Sequence, residues 1–126
     1  MSNILLVAVG GSIGASSRYA FYLISKNFFS SNNLFFNTLI INIIGSFLIG
    51  CLIVLLEIKS FSQDFLKYFF IIGILGSFTT FSTFSLETID LLVDKRFLIA
   101  FFYIFLSLSL CLLFTFLGLN FNKLIN

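Results

Sequence analysis

The stretch 76–85 places six hydroxyls, those of Ser77, Thr79, Thr80, Ser82, Thr83 and Ser85, within nine residues, interleaved with Phe78, Phe81 and Phe84. It lies inside an otherwise apolar run from about 65 to 93, with Thr79 at the middle. A hydroxyl there must hydrogen-bond to its own backbone, to a neighbouring helix or to something passing through. One or two would bond back to carbonyls four residues earlier and act as small packing residues. Six of them, beside the helix-weakening Gly73 and Gly76, point instead to a locally broken helix that lines a polar path. Two other runs carry neutral polar groups. Asn42 needs partners for two donors and an acceptor, and serves either as an interhelical hydrogen-bonding group or as part of the path. Tyr103, Ser107, Cys111 and Thr115 recur at i, i+4, i+8 and i+12, which sets them on one slowly drifting helical face.

Neutral donors without a central carboxylate suit a small anion that exchanges its water shell for hydrogen bonds. Phenyl edges carry positive potential. Phe81 and Phe84, three residues apart on one helical face, either present edges to such an ion or pack as ordinary core. Catalysis is not expected. The chain has no His, no cluster of Cys and carboxylates within a run, and no phosphate-binding glycine loop. Cys51 and Cys111 fall in apolar runs and read as small buried residues rather than a disulfide or zinc site.

The elements that must position these groups are membrane helices. Of 126 residues, 60% are hydrophobic and 10% charged, against roughly 25% charged in a soluble domain. Mean hydropathy is +1.15, and the net charge of +2 is too small an excess to suggest nucleic-acid binding. Four apolar runs of spanning length, about 4–24, 34–56, 65–93 and 97–120, use nearly the whole chain. We expect one all-α integral membrane domain over 1–126, with no soluble domain. The first run lacks a preceding basic segment and is read as a retained helix, not a removed signal peptide.

Basic residues decide orientation when they are biased to one side. Lys59, Lys67 and Lys123 fall on one side; Lys26, Lys95 and Arg96 fall on the other, with Arg18 near the end of the first helix. This balance lets the chain insert both ways, which would permit an antiparallel dimer. Gly10/Gly14, Gly11/Ala15 and Ser46/Gly50 form small-xxx-small pairs for close helix packing. Arg18 serves either as a snorkelling anchor or as part of an electropositive vestibule. Glu87 either reaches water or pairs with Arg18 or a neighbouring lysine.

The segments Gly10–Gly11–Ser12–Ile13–Gly14–Ala15 with Arg18–Tyr19, Thr38–Leu39–Ile40–Ile41–Asn42–Ile43–Ile44–Gly45–Ser46–Phe47, and Gly76 through Glu87 with its Thr-Thr-Phe-Ser-Thr-Phe core resemble the CrcB/Fluc family of fluoride channels. The match runs in order through all four helices. The resemblance implies an antiparallel, dual-topology homodimer in the bacterial cytoplasmic (inner) membrane, whose two pores pass fluoride out of the cell and relieve its toxicity. It implies a third helix broken near its centre and a structural Na⁺ at the dimer centre, held by the backbone carbonyls of Gly76 and Thr79. Family pore residues carry over to Asn42, Phe81, Phe84, Tyr103 and Ser107. Ser82, Thr83 and Thr115 extend a polar track, and Arg18 maps to a vestibule. Carbonyls freed by a broken helix need a partner, and a hard cation accepts oxygen ligands.

Three positions depart from the family pattern. Asn37 and Ser77 stand where glycines are usual, and Cys111 stands where relatives often carry Ser, a better donor. The rival readings are a small multidrug-resistance-type cation exporter and a non-transporting membrane subunit. The first relies on a glutamate in helix one, which has no acidic residue here, and on an aromatic cage in a chain without Trp. The second explains the glycine pairs but not the central hydroxyls.

Overall fold

A computed structural model of the chain describes residues 2–27, 34–57 and 62–125, the side chains of 122–125 excepted. Lys59 lies outside the described residues, and so does the side chain of Lys123. Apolar runs without proline let backbone N–H groups bond within their own segment, as lipid favours, with Thr80 an exception described below. Among the described residues four helices result that are long and apolar enough to cross a membrane: Ser2–Ser25, Phe35–Glu57, Gln63–Val93 and Phe97–Phe121. The all-helical expectation is borne out, and the chain is a multi-pass membrane protein.

The first two spans are α1 (Ser2–Ser25) and α2 (Phe35–Glu57). The third is composite. It opens with α3 (Gln63–Phe65), continues as a π-helix over Leu66–Leu75 and returns to α geometry in α4 (Gly76–Phe78). Thr79 (ψ 156°) and Thr80 (φ −151°, ψ 115°) are extended, and α5 (Phe81–Val93) follows. The fourth span is α6 (Phe97–Ile125).

Contacts along each pair fix the relative directions. Gly10 lies against Phe69 and Gly73, Gly14 against Ile74 and Gly11 against Ser77, so α1 runs parallel to the third span. Phe35 meets Tyr103 and Phe47 meets Phe121, so α2 runs parallel to α6. Thr38 reaches Glu87 and Asn42 reaches Thr80, so α2 and α5 are antiparallel. The tightest approaches need glycine on both helices. A Cβ on Gly73 would lie 2.9 Å from the Gly10 Cα, and one on Gly118 would lie 3.0 Å from the Gly50 Cα. Gly10 and Gly14 of α1 and Gly50 of α2 thus serve close packing, whereas Ser46 lines a groove described below. Gly118, the partner of Gly50, belongs to no sequence pair noted above.

A buried cluster of Phe35, Leu39, Phe84, Leu91, Ala100 and Tyr103 joins α2, α5 and α6. Asn37 is also fully buried, and its side-chain amide has no hydrogen-bond partner among the described residues. α5 ends in a Schellman turn: Arg96 N–H bonds the Leu91 carbonyl at 2.9 Å and Lys95 N–H the Leu92 carbonyl at 3.0 Å. Lys95 occupies the left-handed position (φ 59°) that glycine usually takes.

Candidate functional site

Two extended residues inside a span leave backbone groups without helical partners, and α2 supplies the substitute. Asn42 Nδ2 donates to the Thr80 carbonyl at 3.1 Å, and Thr80 N–H donates to Asn42 Oδ1 at 2.8 Å. Of the two roles open to Asn42, the interhelical bond is therefore made, and it leaves one N–H of the amide unengaged. Thr80 also caps α5, its Oγ1 accepting from Thr83 N–H at 3.2 Å. The same hydroxyl bonds Thr83 Oγ1 at 3.0 Å and Ser82 Oγ at 3.2 Å. Ser82 and Thr83 thus belong to the cap of α5.

These bonds redirect two N–H groups. In a continuous α-helix Thr80 N–H would bond the Gly76 carbonyl, and Thr83 N–H would bond the Thr79 carbonyl. Both go elsewhere, so the two carbonyls lose those partners. Arg18 Nη1 lies 3.4 Å from the Thr79 oxygen, a positive group drawn to a freed acceptor. A hard cation accepts oxygen ligands of this kind, and the cationic group found at the Thr79 oxygen is Arg18. Among the described residues no group of His, Cys, Asp and Glu could hold a metal.

A groove of about 390 Å³ opens beside the extended pair. Asn42, Ser46, Gly76, Thr79, Thr80, Phe81, Phe84, Ser107 and Cys111 line it together with aliphatic side chains, and none of its lining residues is charged. Phe84 is 8% exposed and Phe81 72% exposed, their ring centroids 5.3 Å apart at 44°. Ser107 is 6% exposed, and its Oγ has no hydrogen-bond partner among the described residues. A buried hydroxyl without a partner costs about 1–3 kcal/mol. That oxygen has less than 1 Å² of accessible area, so it lies behind the groove wall and a group in the groove meets it only if the Ser107 side chain turns.

Arg18, Ser82, Thr83, Tyr103 and Thr115 do not line this groove. Thr115 Oγ1 donates to the Cys111 carbonyl at 2.9 Å. Tyr103 packs its ring on Phe84, centroids 5.2 Å apart, and donates its hydroxyl to Glu87 Oε2 at 2.6 Å. Glu87 Oε1 accepts from Thr38 Oγ1 at 2.9 Å, and Thr38 Oγ1 lies 2.7 Å from Tyr22 Oη. The partners shown for Glu87 are hydroxyls of α2 and α6, in place of the arginine or lysine considered from sequence. This tyrosine–threonine–glutamate–tyrosine chain is the feature that sequence reasoning missed. Its only sequence signal is an acidic side chain on the same span as the hydroxyl-rich stretch. Glu87 also borders a second cavity of about 310 Å³ with Asp90, Asp94 and Arg96.

Comparison with known proteins gives this arrangement a context. Residues 5–119 match the family model described as CrcB-like protein, Camphor Resistance (CrcB). The protein named fluoride-specific ion channel FluC from Shewanella baltica (strain OS155) is 46% identical over 118 residues, 94% of either chain. The proteins of that name from Shewanella sp. (strain W3-18-1) and Shewanella oneidensis are 45% and 44% identical over the same shares. The match reaches into all four spans, and the chain belongs to the CrcB family.

Proposed function

We propose that this chain is the subunit of a fluoride-selective channel. Fluoride leaves the cell through it passively, across the bacterial inner membrane, and its toxicity is thereby relieved. The observation that carries the reading is the uncharged groove in which Asn42, Thr80 and Ser107 line the wall beside the Phe81–Phe84 pair. A small anion entering a membrane span needs donors to replace its water shell. The second N–H of Asn42 is unengaged among the described residues, Ser107 Oγ becomes a donor once its side chain turns toward the groove, and phenyl edges add positive potential. A cation carrier would instead want an acidic group in the groove, and none lines it. The names borne by the Shewanella relatives support the choice of ion.

The working unit in this reading is an antiparallel dimer of two oppositely inserted copies, with two pores. The interruption at Thr79–Thr80 acts as a functional break in the third helix. The Gly76 and Thr79 carbonyls of both copies hold a structural Na⁺, whose fixed charge favours anions nearby. Arg18 then moves from the Thr79 oxygen to a vestibule role. Asn42 keeps the break extended, Tyr103 is oriented by Glu87 and steadies the Phe84 ring, and Ser82, Thr83 and Thr115 extend the polar track. Loss of the Ser107 hydroxyl therefore weakens ion passage directly, whereas Asn42 acts by holding Thr80.

Expression in a fluoride-sensitive bacterium tests the reading. Growth in fluoride is expected to recover with the native chain and to fail with a Ser107→Ala chain inserted at equal level. A native chain that inserts but gives no protection would count against fluoride export.

A further inference from the structure

Two extended residues within a span bring four backbone polar groups, and the chain supplies a partner for each. Thr79 N–H bonds the Leu75 carbonyl at 3.1 Å. Thr80 N–H and the Thr80 carbonyl are both taken by the Asn42 amide. The remaining group, the Thr79 carbonyl, accepts from Arg18 Nη1 at 3.4 Å. The first span is built to deliver that guanidinium. Gly10, Gly14 and Arg18 recur at i, i+4 and i+8, so they share one face of α1. A Cβ at Gly10 or Gly14 would collide with the backbone of Phe69 or Ile74, so these glycines let α1 lie directly on the third span. One turn beyond Gly14 the same face reaches Thr79, and the half-buried Arg18 side chain meets its oxygen. The interruption is therefore gripped from two sides, by a neutral amide from α2 and by a full positive charge from α1. In the low dielectric of a span, a charged donor on a carbonyl counts for more than a neutral one.

We propose that Arg18 is the built-in cation of the helix break: it holds the Thr79 carbonyl while no ion is bound, and it releases that oxygen before an ion can take it. The second part rests on the reading in which the Thr79 carbonyls of two copies hold Na⁺. Two cations on one oxygen repel at short range, and the low dielectric of a span sharpens the repulsion. Arg18 and the ion therefore exclude one another. The arginine keeps Thr79 and Thr80 extended in a single chain, so the break exists before a second copy arrives. It also sets the ion concentration at which the site fills, because only the fraction of chains with Arg18 withdrawn is competent to bind. Loss of the arginine thus acts with opposite signs on the two states. The ion-free break loosens, and the ion binds more tightly. A residue that merely packs α1 on the third span would not produce that pair of effects.

The test uses the purified full-length chain with Arg18→Gln and Arg18→Lys variants, Na⁺ being exchanged for N-methyl-D-glucamine at constant ionic strength. Thermal melting is followed across the Na⁺ titration, and hydrogen exchange is followed over 76–84. Without Na⁺, Arg18→Gln is expected to melt below the native chain and to exchange faster over 76–84. At saturating Na⁺ the two chains converge. The Na⁺ concentration at half-maximal stabilisation falls about tenfold in Arg18→Gln, the equivalent of one hydrogen bond to a charged group. Arg18→Lys keeps the charge as a single point without the guanidinium fork, and it shifts each quantity in the same direction by less. Equal destabilisation of Arg18→Gln with and without Na⁺ overturns the proposal, and so does an unchanged or raised midpoint. Native exchange over 76–84 in Arg18→Gln overturns the hold on Thr79. No response of any of the three chains to Na⁺ sinks the sodium reading itself, and the exchange over 76–84 then decides alone whether Arg18 holds the break.

Discussion

Asn42 offers two donors and an acceptor, and the Thr80 backbone takes one of each at 3.1 Å and 2.8 Å. In Asn42→Asp a carboxylate still accepts from Thr80 N–H but sets an acceptor against the Thr80 carbonyl. Stability is expected to fall by about 1–3 kcal/mol, together with fluoride flux. Thermal melts and efflux measured side by side check this, and an unchanged melting temperature would remove the clamp. Ser107→Ala separates structure from function in the opposite sense. Removing an unpartnered buried hydroxyl leaves stability unchanged or raises it by about 1 kcal/mol. Flux is expected to drop roughly ten- to a hundredfold, the equivalent of a hydrogen bond to a charged group. A destabilised variant that conducts normally would contradict the assignment. At this scale the sequence is readable as residue type and spacing. Asn42, Ser107 and the Phe81–Phe84 pair stand out because polar or paired aromatic groups at helical spacing in an apolar run are unusual. What each side chain bonds to is not readable, because it depends on the facing helix. Thr115 turns to its own backbone, Tyr103 turns to Glu87, and Ser107 Oγ is left buried without a partner among the described residues.

Among the elements, the four spans are evident from apolar run length alone. The glycines of α1 mark a close contact, although their partners Gly73 and Ile74 come from the tertiary fold. The π-helical winding of Leu66–Leu75 has no sequence signature. Nothing in that run distinguishes i→i+5 from i→i+4 bonding, since every residue in it tolerates either. The left-handed Lys95 is equally hidden, because a lysine there gives no hint of the positive φ that a glycine would announce. It provides a test of the turn between α5 and α6. Lys95→Gly relieves the Cβ clash of that conformation and is expected to raise stability by about 1 kcal/mol. The change should appear as a higher melting temperature in detergent with fluoride flux unaltered. A lower melting temperature would mean that the lysine side chain contributes more than its backbone conformation costs.

At the scale of the whole molecule, one copy leaves large apolar side chains exposed along all four spans, including the 72% exposed Phe81 beside the groove. Lipid covers most such surface in a multi-pass protein. The proposed second copy would cover the part that bears Phe81 and bring the Gly76 and Thr79 carbonyls of two chains to one Na⁺. An ion that binds only the assembled form stabilises it by mass action, by about 2.7 kcal/mol at a concentration about a hundred times its dissociation constant. Replacing Na⁺ by a large organic cation should therefore lower the melting temperature of the purified protein, and an unchanged value would count against the ion. Near-balanced Lys and Arg made opposite insertion an expectation from sequence, but the arrangement of two chains is decided by surfaces that a single sequence does not display. The central claim is that the uncharged groove beside Asn42, Phe84 and Ser107 passes fluoride and rejects larger anions. Fluoride and chloride efflux from liposomes holding the purified chain, each followed with its own ion-selective electrode, tests it most directly. Fast fluoride release with negligible chloride release is the predicted result. Equal release of both ions, or no fluoride release from folded protein, would contradict it.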